Sequence, residues 1–253
     1  MRRFLKAIIR PIYARLMPHE NTSRFAYEGS RPETGRPPTE FEALFWDNTG
    51  VPVDKWHHYL PIYDRYFFPW KNRPLRMLEI GVSKGGSLTM WRKYFGADAI
   101  IFGVDIDPNC AKFDGKDGQV RIGSQDDPNF LKSVIDEMGG VDIILDDGSH
   151  IAKHMNASLN ILFPLLANGG LYLVEDMHTS YWRRHGGGEG RAAGFTNTLK
   201  VLIDDMHHWY HRKGQKIVGT RDFLAVMHIH DSIVVMEKAI VPMPQHSVKG
   251  RPQ

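Results

Sequence analysis

The hydrophobic rhythm of the chain changes near residue 75, and a single alternating series follows. LRMLEI from Leu75, AIIFGVDID from Ala99, GQVRIG from Gly118, VDIILDD from Val141 and GLYLVED from Gly170 are short apolar runs, each closing on glycine or an acid. Between them lie SLTMWRKYF, PNFLKSVIDEM and HIAKHMNASLNILFPLL, whose apolar residues recur at helical spacing. Strands alternating with helices at that interval predict βαβ units and a parallel, doubly wound α/β sheet of Rossmann type. The end of the series differs. DFLAVMHIHDSIVVMEKA holds two strand-like runs around His230 and Asp231, which predicts a terminal antiparallel hairpin with its tight turn there.

Upstream of residue 75 the pattern is broken. Residues 1–16 place Phe4, Leu5, Ile8, Ile9, Ile12 and Leu16 among Arg2, Arg3, Lys6, Arg10 and Arg15, a helical pattern interrupted by Pro11. The apolar face must be covered, because each such side chain left in water forfeits about 1.5–3 kcal/mol. A second subunit is the expected cover, making a homo-oligomer, with peripheral contact to an anionic membrane as the lesser choice. Residues 28–39 are rich in Pro and Gly and read as a loop. FEALFW and KWHHYLPIYDRYFF then predict short aromatic helices, too small for a core of their own and expected to cap the main domain. The organisation expected is a cap over residues 1–70, a main domain over 71–238 and a tail over 239–253.

Composition narrows the classes without choosing among them. The 253 residues are 42% hydrophobic and 24% charged, near the globular average, which excludes fibrous and wholly disordered chains. One cysteine, Cys110, forbids an intrachain disulfide and removes cysteine-rich zinc sites; a reducing, cytoplasmic setting is expected, with the inner membrane face as a peripheral option. No apolar run approaches the roughly 20 residues of a membrane-spanning helix. A net charge of +3 is too small to point to nucleic acid.

Chemistry is concentrated at the strand ends. After the first strand comes Glu79-Ile80-Gly81-Val82-Ser83-Lys84-Gly85-Gly86-Ser87, where glycine lets the backbone turn sharply beside a helix N-terminus. The spacing is neither G-x-G-x-x-G nor a G-K-[ST] phosphate loop. Glu79 would repel a pyrophosphate but accept a cation such as an amino group or sulfonium. Asp105 and Asp107 close the second strand, where a carboxylate can accept ribose hydroxyls. Ser124 and Gln125 follow the third, placed for an adenine edge. In this order the three loops resemble the layout of class I S-adenosylmethionine methyltransferases. Strands four and five end in Asp146-Asp147-Gly148-Ser149-His150 and Glu175-Asp176, and in a doubly wound sheet these ends are neighbours. Four carboxylates are therefore expected to converge and to need a positive partner. Oxygen donors without cysteine favour Mg²⁺ over zinc. Asp147 or Ser149 as caps of a helix from His150 is the alternative reading.

Together E-x-G-x-x-x-G-x-S, VDID, SQD, LDDGSH and VED resemble the metal-dependent sugar O-methyltransferases that tailor macrolides, the mycinamicin type above all. Asp54-Lys55-Trp56-His57-His58-Tyr59, followed by Ile62-Tyr63-Asp64, resembles that group's segment before the first strand. The resemblance covers about residues 50–237, with DDGSH and VED its most specific part, although members of the mycinamicin type have a larger N-terminal domain. It implies Asp147, Glu175 and Asp176 as Mg²⁺ ligands and His150, beside catalytic Asp147, as the general base. It also implies Lys55, Tyr59, Glu79, Gly81, Ser83, Ser87, Asp105, Asp107, Ser124, Gln125 and Asp146 around S-adenosylmethionine. The acceptor it implies is a sugar hydroxyl of a glycosylated natural product, a polysaccharide or a glycolipid.

Residues 181–195 (YWRRHGGGEGRAAGF) suit a mobile lid over a polar acceptor. His207 and His211 have metal-ligand spacing without a third ligand, so they and His208 read as surface or interface residues. Two other functions remain open. Relatives of the same motifs carry a cephalosporin hydroxylase label, but an iron oxygenase would want two histidines and one carboxylate. A non-catalytic lipid- or nucleic-acid-associated module would leave the acids beside the glycine loop without a purpose.

Overall fold

The computed structural model describes residues 30–33, 35–190, 192–211 and 220–250. The predicted N-terminal helix, with the oligomer or membrane contact assigned to it, lies outside the described residues.

The predicted strands form in sequence order: β1 (Arg76–Ile80), β2 (Ile100–Asp105), β3 (Gln119–Ile122), β4 (Val141–Asp146), β5 (Leu166–Val174), β6 (Leu224–His230) and β7 (Ile233–Lys238). Among the described residues they make one seven-stranded sheet in the order β3-β2-β1-β4-β5-β7-β6. β1 to β5 pair in parallel, and the β6–β7 hairpin adds antiparallel strands beyond β5. The reversal of strand order between β1 and β4 is where an open α/β sheet opens a crevice at its carboxyl ends. Two boundaries differ from the expectation. The hairpin turn is Asp231–Ser232, one residue later, with Ser232 in the left-handed conformation (φ 63°). β5 begins at Leu166 rather than Gly170, through an irregular register against β4.

Alternation along the strands divides the core between the two faces. Leu78, Ile80, Val104, Ile144 and Val174 face α4 (Pro128–Met138), α5 (Ala152–Leu162) and α6 (Phe195–Met206). Met77, Ile101, Ile143, Leu145 and Leu173 face α3 (Gly86–Phe95) and the cap helices α1 (Glu40–Trp46) and α2 (Leu60–Phe67). The cap shares this core, as its small size predicts. Phe41 stacks on Trp91 at 5.0 Å and meets Tyr63 edge-on at 5.1 Å. The Asp64 carboxylate accepts from the Phe41 N–H at 3.2 Å and the Tyr94 hydroxyl at 2.9 Å, tying α1, α2 and α3 together. The α5 helix starts at Ala152, which leaves His150 in the preceding loop. His208 is buried, against the surface position expected for it, while His207 caps Ile203 O at 2.7 Å. Among the described residues no helix is long and apolar enough to cross a membrane.

Candidate active site

Strand parity decides which acids reach the crevice. Asp146 continues the Ile144 face and turns toward α5, where it accepts from Ser158 Oγ and from Gln125 Nε2 at 3.1 Å. It is 1% exposed, enclosed by these donors. It acts by holding Gln125, whose Oε1 accepts the Ser149 N–H at 2.8 Å. Glu175 continues the opposite face, toward the cap. There Tyr63 donates to its Oε1, and the Lys55 ammonium reaches both oxygens at 3.0 and 2.8 Å. Three of the four acids gather, Asp147 and Glu175 on the Lys55 ammonium and Asp147 and Asp176 about His150, while Asp146 turns away. Two turn inward on opposite faces, and Asp147 and Asp176, one residue further along, face the crevice.

These two are held in the same manner. Asp147 gives Oδ2 to Lys55, and its Oδ1 lies 3.8 Å from His150 Nε2. Asp176 accepts the Tyr59 hydroxyl on Oδ1 at 2.9 Å, and its Oδ2 lies 3.6 Å from the same nitrogen. Each carboxylate is thus fixed by one oxygen and presents the other to a common centre. One atom from each of Asp147, His150 and Asp176 can lie within 4.8 Å of the rest, and the two carboxylate oxygens suit a hard divalent cation. Glu175, the third acid of the expected trio, is held by Lys55 and Tyr63. Among the described residues, this group holds one histidine.

Lys55 and Tyr59, expected at the cofactor, contact the carboxylates Asp147, Glu175 and Asp176. Burial opposes the Lys55 charge, but Asp147, Glu175 and Glu79 outweigh it and hold the ammonium far above its usual range. Burial pushes Glu175 well above the carboxylate range and Asp147 adds to this, with Lys55 and Tyr63 opposing. Burial also lowers the His178 pKa.

The glycine loop lies beside this cluster. Gly81 has φ 100°, and a Cβ there would stand 2.2 Å from Asp147 O, so glycine lets the β1 and β4 loops touch. Glu79 is fully buried, accepting Ser87 Oγ at 2.8 Å and Trp91 Nε1 at 3.1 Å. Burial raises its pKa to about 7, with Lys55 and Trp91 opposing. Asp105 accepts the Val82 and Ser83 N–H groups, both at 2.9 Å, and shapes the loop. Asp107 caps the following turn through the Asn109 N–H at 2.9 Å, and Ser124 donates to Asp126. Sequence reasoning missed Tyr63, Trp91, Thr179 and Ser232 as parts of the site. Helical spacing carries a signal for two of them, since Tyr63 follows Tyr59 by four residues and Trp91 follows Ser87 by four.

Residues 78–177 match a protein family described as a methyltransferase domain. A rhamnosyl-tetracenomycin C 3'-O-methyltransferase of Streptomyces olivaceus is 37% identical over 195 residues, which are 72% of this chain and 50% of that protein. The mycinamicin VI 2''-O-methyltransferase of Micromonospora griseorubida is 39% identical over 60% of this chain and 40% of its own length. The chain spans about half the length of the curated relatives it matches. A solved methyltransferase of the mycinamycin pathway, in complex with Mg, SAH and mycinamycin VI, superposes with a TM-score of 0.70 at 31% identity, over 80% of this chain and 53% of that one.

The raised Glu79 pKa has a consequence for stability. Its carboxyl binds a proton more tightly folded than unfolded, so stability is lost as pH rises from about 4.5 to about 7. Glu79→Gln should remove that slope. Urea unfolding of both proteins across this range checks it; parallel pH profiles would contradict it.

Proposed function

Because residues 78–177 belong to a methyltransferase domain family and the chain resembles sugar O-methyltransferases over 72% of its length, we propose that it transfers a methyl group from S-adenosylmethionine to a sugar hydroxyl. The acceptor is a glycosylated small molecule, with a polysaccharide or glycolipid sharing the same reacting group. The observation that carries this reading is the pair Asp147 and Asp176, each anchored by one oxygen and directing the other toward His150.

Asp147 and Asp176 would hold a divalent cation such as Mg²⁺. Bound there, the cation supplies positive charge for a developing alkoxide, and the sulfonium cofactor supplies the methyl group. The chain supplies position and proton transfer. Glu79, at the foot of the glycine loop, attracts the cationic end of the cofactor, and Ser87 and Trp91 fix its carboxylate. Lys55 and Tyr59 keep Asp147 and Asp176 in register. His150 Nε2, between the two carboxylates, would accept the proton of the acceptor hydroxyl as the methyl group is transferred to its oxygen. In-line alignment of oxygen, carbon and sulfur in a fixed crevice contributes much of the rate.

The test uses labelled S-adenosylmethionine with rhamnosyl-tetracenomycin C, demethylmacrocin and mycinamycin VI as acceptors. Label should pass to a glycoside with Mg²⁺ and cease in excess EDTA. Asp176→Asn should lower turnover by on the order of 10²–10³ while S-adenosylhomocysteine still binds. Transfer that survives EDTA would contradict the metal role.

The apolar stripe Phe4, Leu5, Ile8, Ile9 and Ile12 adds a second part to this reading, a homo-oligomer held through residues 1–16. Light scattering of the chain with and without them should show the mass fall on deletion. An unchanged mass with lost binding to anionic vesicles would assign the stripe to a membrane surface.

A further inference from the structure

Two side chains that face the common centre, His150 and Asp176, sit on backbone that non-glycine residues seldom adopt, each with φ 54°. Such conformations persist only where their surroundings impose them. One side chain touches both. Thr179 is 2% exposed, and its Oγ1 lies 2.7 Å from the Asp176 carbonyl oxygen and 3.2 Å from that of His150. The Thr179 N–H also donates to Asp176 O at 2.9 Å, so the threonine is seated on the β5 loop and reaches across to the β4 loop.

We propose that Thr179 is a positioning residue for the reaction: its hydroxyl clips the β4 and β5 loops together at their two left-handed residues. This sets the separation of the His150 imidazole and the Asp176 carboxylate. The proposal rests on the methyltransferase reading for its catalytic meaning, but its geometry does not depend on it. The Thr179 hydroxyl has one hydrogen to share between two carbonyls. Asp176 O keeps the Thr179 backbone N–H when that hydroxyl is lost, whereas His150 O loses its contact with Thr179. Loss of the hydroxyl should therefore act mainly on the β4 side, releasing His150 rather than Asp176. Valine keeps the shape and the β-branching of threonine without the hydrogen bond, and serine keeps the hydroxyl, so the pair separates bonding from packing.

The experiment compares the full chain with Thr179→Val and Thr179→Ser. The first readout is the ring Cε1–H resonance of His150, assigned by its disappearance in His150→Gln. The second is Mn²⁺ affinity by electron paramagnetic resonance, without acceptor. The resonance should move in Thr179→Val and return in Thr179→Ser. Mn²⁺ affinity should fall roughly tenfold in the valine variant and recover in the serine variant. An unmoved resonance in Thr179→Val, or a serine variant no closer to the parent than valine, would overturn the proposal. A parent protein that takes up no Mn²⁺ would overturn the metal reading of the site instead, and the resonance would still decide the role of Thr179.

Discussion

The buried ammonium of Lys55 is the interaction on which the site depends. Its side chain is 4% exposed and lies against Asp147 and Glu175, with Glu79 close enough to act on its charge. Burying an ion costs several kcal/mol, and a buried pair that loses one partner is destabilised by about 3–5 kcal/mol. Lys55 offsets that cost for two carboxylates from two strands, and so makes an acidic crevice compatible with a folded sheet. It also leaves work undone. One cation cannot satisfy Asp147, Glu175 and Asp176 together, and the oxygens directed at His150 are those it does not reach.

Parity along the strands explains why one acid of each strand-end pair is structural. Asp146 goes to the α5 face and Glu175 to the cap face, where each is enclosed by hydrogen-bond donors. Beyond the regular strand, Asp147 and Asp176 can turn to the crevice, and backbone strain accompanies that turn. Of the five non-glycine residues with positive φ among the described residues, Ser83, His150, Asp176 and Ser232 belong to the crevice, and only Asn72 does not. Strain gathered at one place marks where local preference yields to a site.

Much of this was legible in the sequence. The five parallel strands, the terminal hairpin and the capping aromatic helices followed from apolar period and from glycine and acid at strand ends. The side chains at the crevice were harder. Residues adjacent in sequence, Asp146 with Asp147 and Glu175 with Asp176, looked equivalent until the pleat assigned them to opposite surfaces. Lys55 and Tyr59 were recognised, but their contacts lie some 92 and 117 residues away in the chain, beyond the reach of any local pattern. Thr179 and Ser232 act through backbone carbonyls, which leave no mark in residue type.

The account stands on a cation bound by Asp147 and Asp176 above a Lys55 that remains paired with Glu175. Anomalous diffraction from crystals grown with Mn²⁺ and S-adenosylhomocysteine tests this most directly. The account predicts an anomalous peak within coordination distance of Asp147 Oδ1 and Asp176 Oδ2, with the cofactor sulfur facing it across the crevice. A peak bound elsewhere, or none on these two oxygens at saturating Mn²⁺, would contradict it.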